Sequence, residues 1–202
     1  MELVLGSLSL IVGGGFVIGF LIGITGVGAG SLTTPLLISG VGVSPAVAVG
    51  TDLLFAALTK MSAAWRHQRL ENVNWHILGW LAAGSLPGAA AILLWLYWAE
   101  PDTHLVAWFV KKGLAVTLIG TTIAIILHPF LRKTATEAEA SAATVISAAR
   151  PFPTLLFGLV LGAAVALNSV GAGAIGVAVL TGLYPFMAVR RVVGTDIVHA
   201  VP

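Results

Sequence analysis

The sequence predicts an all-α fold: a polytopic helical membrane protein built from two homologous repeats with glycine-broken helices. Three observations predict it. Hydrophobic residues make up 58% of the chain and charged residues 9%, against roughly 25% charged in a soluble domain. Mean hydropathy is +1.02. The apolar residues fall in runs long enough to span a bilayer, which needs about 20 residues per helix. The chain also matches itself. Val17-Ile18-Gly19 followed by Val27-Gly28-Ala29-Gly30 recurs as Val160-Leu161-Gly162 followed by Val170-Gly171-Ala172-Gly173, an offset of 143. Val49-Gly50-Thr51-Asp52 recurs as Val193-Gly194-Thr195-Asp196, an offset of 144. Composition explains one such match. Two collinear matches one residue apart in offset indicate a duplication.

The elements follow in order. Leu3 to Val43 is an uncharged run of 41 residues, enough for one helix and a returning half-helix, or for one long broken helix. The glycines between Gly23 and Gly30 are the expected break. The second run covers about Ala46 to Ala64 and ends in Trp65-Arg66-His67-Gln68-Arg69, an aromatic and basic interface. The third runs from about Val73 to Trp98, with tryptophans near both ends as an aromatic belt places them. Glu100-Pro101-Asp102 is a polar turn, and a fourth run ends near Phe130. The first repeat is thus 1–130, residues 131–150 form a polar inter-repeat loop or surface helix, and 151–202 begin a second repeat that is expected to be incomplete. Basic residues divide five to four between the two sides, a weak vote for a cytoplasmic 131–150 loop.

Composition also excludes. The net charge of +2 is spread over loops and makes no nucleic-acid surface. Without cysteine there is no disulfide, thiolate chemistry or cysteine metal site. The histidines lie at segment ends or singly, so no metal or other cofactor is expected. No nucleophile–base pair or phosphate-binding loop is present, so the chain does not read as an enzyme. The N-terminus lacks the basic region of a cleaved signal peptide. The expected location is the plasma membrane, with several crossings.

Two residue sets carry chemistry. Gly15, Gly19 and Gly23, and Gly158 and Gly162, are spaced by four, which lets helix backbones touch. The second glycine set is spaced by two, off any helix face: Gly26, Gly28 and Gly30 before Ser31, and Gly171 and Gly173 after Asn168 and Ser169. A break at membrane depth leaves backbone N–H groups to be satisfied by protein or by a polar cavity. A helix restarting there aims its positive end into the break and favours an anion. Ser31, Thr33, Thr34, Asn168 and Ser169 add donors. The plain alternative is a flexible packed helix without ligand. Asp52 and Asp196, each after a Gly-Thr pair, are costly inside a bilayer, by at least about 2.5 kcal/mol. Proton coupling is their functional reading, and a helix cap or a salt bridge from Arg190 or Arg191 is the structural one. Lys60, two turns after Asp52, reads first as a side chain reaching for the interface. His199 shares a face with Asp196 and reads as a local hydrogen-bonding group.

These motifs, from Gly19–Ser31 into Pro35-Leu36-Leu37, then Ala48–Asp52, Gly162–Gly173 and Val193–Asp196, resemble the sulfite exporter TauE/SafE family of bacterial permeases. The resemblance covers the whole chain in layout. It implies about eight spanning segments in two related halves, and transport of sulfite, organosulfonates or similar anions driven by an ion gradient. In that family the Gly-Thr pair is often followed by serine, whereas here aspartate follows in both copies. The expected substrate site is Gly26, Gly28, Gly30, Ser31 and Thr51 with Asn168, Ser169, Gly171, Gly173 and Thr195. Asp52 and Asp196 are the expected proton-coupling groups. The expected partners are a small anionic substrate and the lipid bilayer, with no nucleic acid and with a homo-oligomer left open. The rival reading is a non-transporting scaffold or inactive fragment that binds partner helices through its glycine faces.

Overall fold

A computed structural model describes residues 12–20, 30–99, 102–131, 150–170, 173–185 and 187–201. The helices are α1 (residues 12–20), α2 (Gly30–Pro35) continuing through a π-turn at Leu36–Gly40, α3 (Pro45–Arg69), α4 (Trp75–Ala99), α5 (Thr103–Leu131), α6 (Pro151–Asn168), α7 (Ala174–Leu183) and α8 (Val189–His199). No strand occurs among the described residues. Four helices, α3 to α6, are long and apolar enough to cross a membrane, α5 through its Thr103–Ile123 portion. At 1.5 Å per residue, a 25-residue helix such as α3 spans about 37 Å, more than the roughly 30 Å of bilayer hydrocarbon.

Local chemistry sets the ends. Ser44 is extended at the N-cap of α3 and Pro45 occupies its first turn, where the missing N–H costs nothing. Arg66, His67 and Arg69 sit in its last turn, against the negative end of the dipole. The Asn74 carboxamide oxygen accepts the N–H groups of His76 and Ile77, each at 3.2 Å, and caps α4. Asp102 accepts the His104 N–H at 3.3 Å and starts α5. Within α5, the Thr117 and Thr121 hydroxyls return to carbonyls one turn back at 2.9 and 2.7 Å, which satisfies them without water. Phe16, Leu54, Leu58, Tyr97, Trp98, Ile119 and Phe152 are exposed on helix flanks, as lipid-facing residues would be.

Helices α4 and α6 are the tightest pair. A side chain at Gly84 or Gly88 would run into the backbone oxygens of Leu155 and Leu159. One at Gly158 or Gly162 would run into those of Leu81 and Ser85. The four-residue glycine spacing of α6 thus brings two backbones into contact. Gly15 and Gly19 behave differently: nothing described lies within 4 Å of where their Cβ atoms would stand. Ile77, Leu81, Leu180, Tyr184, Met187 and Val192 form the core where α4, α7 and α8 meet.

The second long glycine-rich run turns back. Thr154, near the start of α6, shares a 2.6 Å hydrogen bond with Tyr184, which follows the end of α7. The turn lies at Ser169, in the left-handed region at φ 61°, and at Gly173, at φ 121°. Helix α8 then lies antiparallel to α3. Gly194 abuts the Asn72 carbonyl and His67 at the end of α3. Asn74, at the start of α4, bonds to Thr195, and Ser85, eleven residues on, bonds to His199, so α8 runs along α4, which returns from α3 through a short turn. The first residues of α3 and α8 therefore lie at opposite ends of the bundle.

Candidate functional site

Asp52 is the eighth residue of α3 and is fully buried. It does not cap that helix, since Ser44 holds the cap position. Its Oδ2 accepts a hydrogen bond from Thr34 Oγ1 at 3.3 Å and another from Ser169 Oγ at 2.5 Å. Thr34 is the last residue but one of the short helix α2, and Ser169 is the residue that closes α6 at its break. An acid of α3 thus meets a hydroxyl 117 residues away, at the end of α6. Asp52 Oδ1 has no partner among the described residues.

Asp196 is the eighth residue of α8, the position in that helix that Asp52 holds in α3. It is also buried. Its Oδ1 lies against Gly176, where any side chain would overlap it, and has no hydrogen-bond partner among the described residues. Gly176 lies in the first turn of α7, so the carboxylate sits beside the N-terminal end of that helix. That helix end, which the sequence offers to an external anion, faces the protein's own acid.

Lys60 is where sequence reading and structure part. The expected interface-seeking lysine is instead turned inward and half-buried, and its charge acts on Asp196 first and Asp52 second. The cause is α8, which packs on that face of α3 and brings in a carboxylate from 136 positions away. Arg190 and Arg191, the salt-bridge candidates for Asp196, are exposed. His199 does not bond to Asp196 either. Its Nε2 shares a 2.7 Å hydrogen bond with Ser85 of α4.

The other predicted residues divide. Gly26, Gly28 and Gly171 lie outside the described residues. Gly30 opens α2 and Ser31 follows it. Thr51 is exposed and lines a cleft with Gly15, Gly19, Thr33, Asp52 and Phe55. Asn168 is buried, its Oδ1 accepting the Val170 N–H at 3.0 Å. Gly173 holds a backbone conformation that suits glycine. Thr195 is buried away from that cleft: it accepts the Asn74 N–H at 2.9 Å and donates to the Arg191 carbonyl at 2.7 Å, tying α8 to the start of α4. Sequence reasoning missed Ser85 and Gly176. The offset of 143 pairs Gly176 with Thr33. That pairing was the available signal, but the residue types differ.

Two buried carboxylates thus lie within electrostatic range of one half-buried lysine. Such groups persist in an apolar interior only if a proton, a cation or the lysine charge balances them. No cluster of three or more His, Cys, Asp or Glu able to hold a metal occurs among the described residues. The cleft beside Asp52 is open and mostly apolar, and its lining includes no basic side chain.

Comparison with known proteins adds the following. The family model described as sulfite exporter TauE/SafE matches residues 11–202. A Bacillus subtilis (strain 168) protein, "Probable membrane transporter protein YjnA", is 34% identical over 194 residues, covering 96% of this chain and 74% of that protein. No solved structure matches the chain.

Proposed function

Because the chain belongs to the sulfite exporter TauE/SafE family and is a multi-pass membrane transporter, we propose that it is a secondary permease for small sulfur-containing anions such as sulfite or organosulfonates. An ion gradient drives it through Asp52 and Asp196. The observation that carries this reading is the 2.5 Å bond from Ser169 to Asp52, which joins the break of one half to the acid of the other. Substrate and coupling sites of transporters built from repeats lie where the halves meet, at broken helices.

The halves are read as inverted repeats. The helices bearing the two acids start at Pro45 and Val189, an offset of 144, yet run in opposite directions. A pseudo-two-fold axis in the membrane plane relates such units. The scaffold reading keeps only the glycine face of α1, since the glycines of α4 and α6 pack on each other.

The test is flux of radiolabelled sulfite in vesicles carrying the protein, with and without imposed proton or sodium gradients. Gradient-dependent flux is expected, with at least a tenfold loss in Asp52→Asn. Inserted, folded protein without gradient-dependent flux of sulfite or a sulfonate would refute the substrate class.

A further inference from the structure

We propose that Asp52, the hydroxyls of Thr34 and Ser169, and the carboxyl end of α6 form a binding site for a hard monovalent cation, with sodium as the natural probe. The inference rests on the transport reading in one respect: it names the ion that acts at Asp52.

Charge comes first. Asp52 and Asp196 are both buried, and the Lys60 charge can offset at most one of them. The close contacts of Asp52 are with hydroxyls, and no basic side chain bonds to it among the described residues. Hydrogen bonding then separates a cation from a proton. Oδ2 already receives two hydroxyl donors, the arrangement that suits an ionised carboxylate. Oδ1 faces no partner among the described residues. A proton placed on Oδ1 would engage one acceptor at most, whereas a cation there can be held by several oxygens at once. A cation there meets a free carboxylate oxygen instead.

The surroundings supply the other ligands. Ser169 caps α6, so its contact with Asp52 puts the acid beside the C-terminal end of that helix. The last carbonyls of a helix lack intrahelical partners and carry the negative end of its dipole. A bare carboxylate is disfavoured at that end, and a bound cation is favoured. The Thr34 and Ser169 oxygens keep lone pairs for a cation while donating their protons. All these ligands are oxygens, as hard cations require. A single uncompensated acid without a second carboxylate fits one positive charge. Asp52 borders the cleft lined by Thr33, Thr51 and Phe55, the side from which an ion would approach. Once neutralised, the site no longer repels an anion in the same cleft, so cation binding and anion entry are linked.

The experiment is binding of radioactive sodium to the purified protein in detergent, read by scintillation proximity at one pH with no sulfur anion present. Saturable binding that unlabelled sodium displaces is expected. Affinity should fall at least tenfold in Asp52→Asn and several-fold in Ser169→Ala, and stay unchanged in the exposed Glu71→Gln. Folded protein without saturable binding overturns the proposal, as does an Asp52→Asn protein that binds like the parent. Should Asp52→Asn fail to fold, the unaltered protein decides. Its thermal midpoint should rise with sodium chloride relative to choline chloride at equal ionic strength, and an unchanged midpoint overturns the proposal. Neither assay reads transport. Sodium binding without sulfite flux would refute the substrate class alone, and flux without sodium binding would refute this site alone.

Discussion

At the scale of single residues, the two acids are held in different ways. Asp52 is met by hydroxyl donors, whereas Asp196 is seated on a glycine. Replacing Gly176 with alanine places a methyl group where Asp196 Oδ1 now lies, so either the carboxylate or α8 must move. Overpacking of this kind costs about 1–3 kcal/mol, and it displaces a proposed coupling group. Gly176→Ala should lower the thermal midpoint in detergent and reduce flux. Gly182→Ala, in the same helix, meets nothing within 4 Å and should be neutral or stabilising by up to about 1 kcal/mol, since alanine is the better helix former. If both variants melt alike, Asp196 is not seated on α7. Neither Gly176 nor the inward turn of Lys60 was legible in the sequence. A glycine in a membrane helix has many uses, and the carboxylate that draws Lys60 inward comes from a distant helix. The two aspartates were legible because charge is rare in apolar sequence and the Gly-Thr-Asp triplet repeats.

At the scale of elements, small residues at four-residue spacing do what lipid cannot. Bilayer chains compete equally for apolar side chains, so helices associate through close backbone packing. Gly84, Gly88, Gly158 and Gly162 provide that for α4 and α6. Gly162→Val should lose about 3 kcal/mol, the upper part of the overpacking range, because backbone cannot yield as a side chain does. Gly19→Val, with nothing described within 4 Å, should be tolerated in stability. Unfolding of the two variants in a graded series of denaturing detergent checks this contrast, and equal losses would mean that α1 is packed as tightly as α6. Sequence showed the spacing in both copies. It could not show that only one is used among the described residues, because spacing defines a face without naming what lies on it. Helix limits were legible from caps and prolines: Ser44-Pro45, Asn74 and Asp102 start α3, α4 and α5. The reversal of the second run was not, because 33 apolar residues suit a crossing or a hairpin equally. The Thr154–Tyr184 bond decides for the hairpin.

At the scale of the whole molecule, that reversal bears on how the two proposed repeats are related. Between the start of α3 and the start of α8 the chain crosses with α3, α4 and α5, then goes in and back with α6 and α7. Three crossings among the described residues are an odd number, which agrees with α8 running antiparallel to α3, so that the two aspartate helices enter from opposite faces. The same count puts Arg69, at the end of α3, on the face where α8 begins with Arg190. A chain without cysteine makes this directly measurable. Ser44, Arg69 and Arg190 are exposed, and each replaced singly by cysteine gives one reactive thiol. In vesicles of uniform orientation, an impermeant maleimide should label Arg69→Cys and Arg190→Cys from one side and Ser44→Cys from the other. Labelling of Ser44→Cys and Arg190→Cys from the same side would make the repeats parallel. It would also break the argument for a shared midplane site, because α8 could then no longer lie antiparallel to α3. Opposite labelling sets Asp52 about 10 Å in from one end of its helix and Asp196 the same distance in from the other. In that arrangement each acid lies nearer a different face of the membrane, as the pseudo-two-fold axis of inverted repeats would place them.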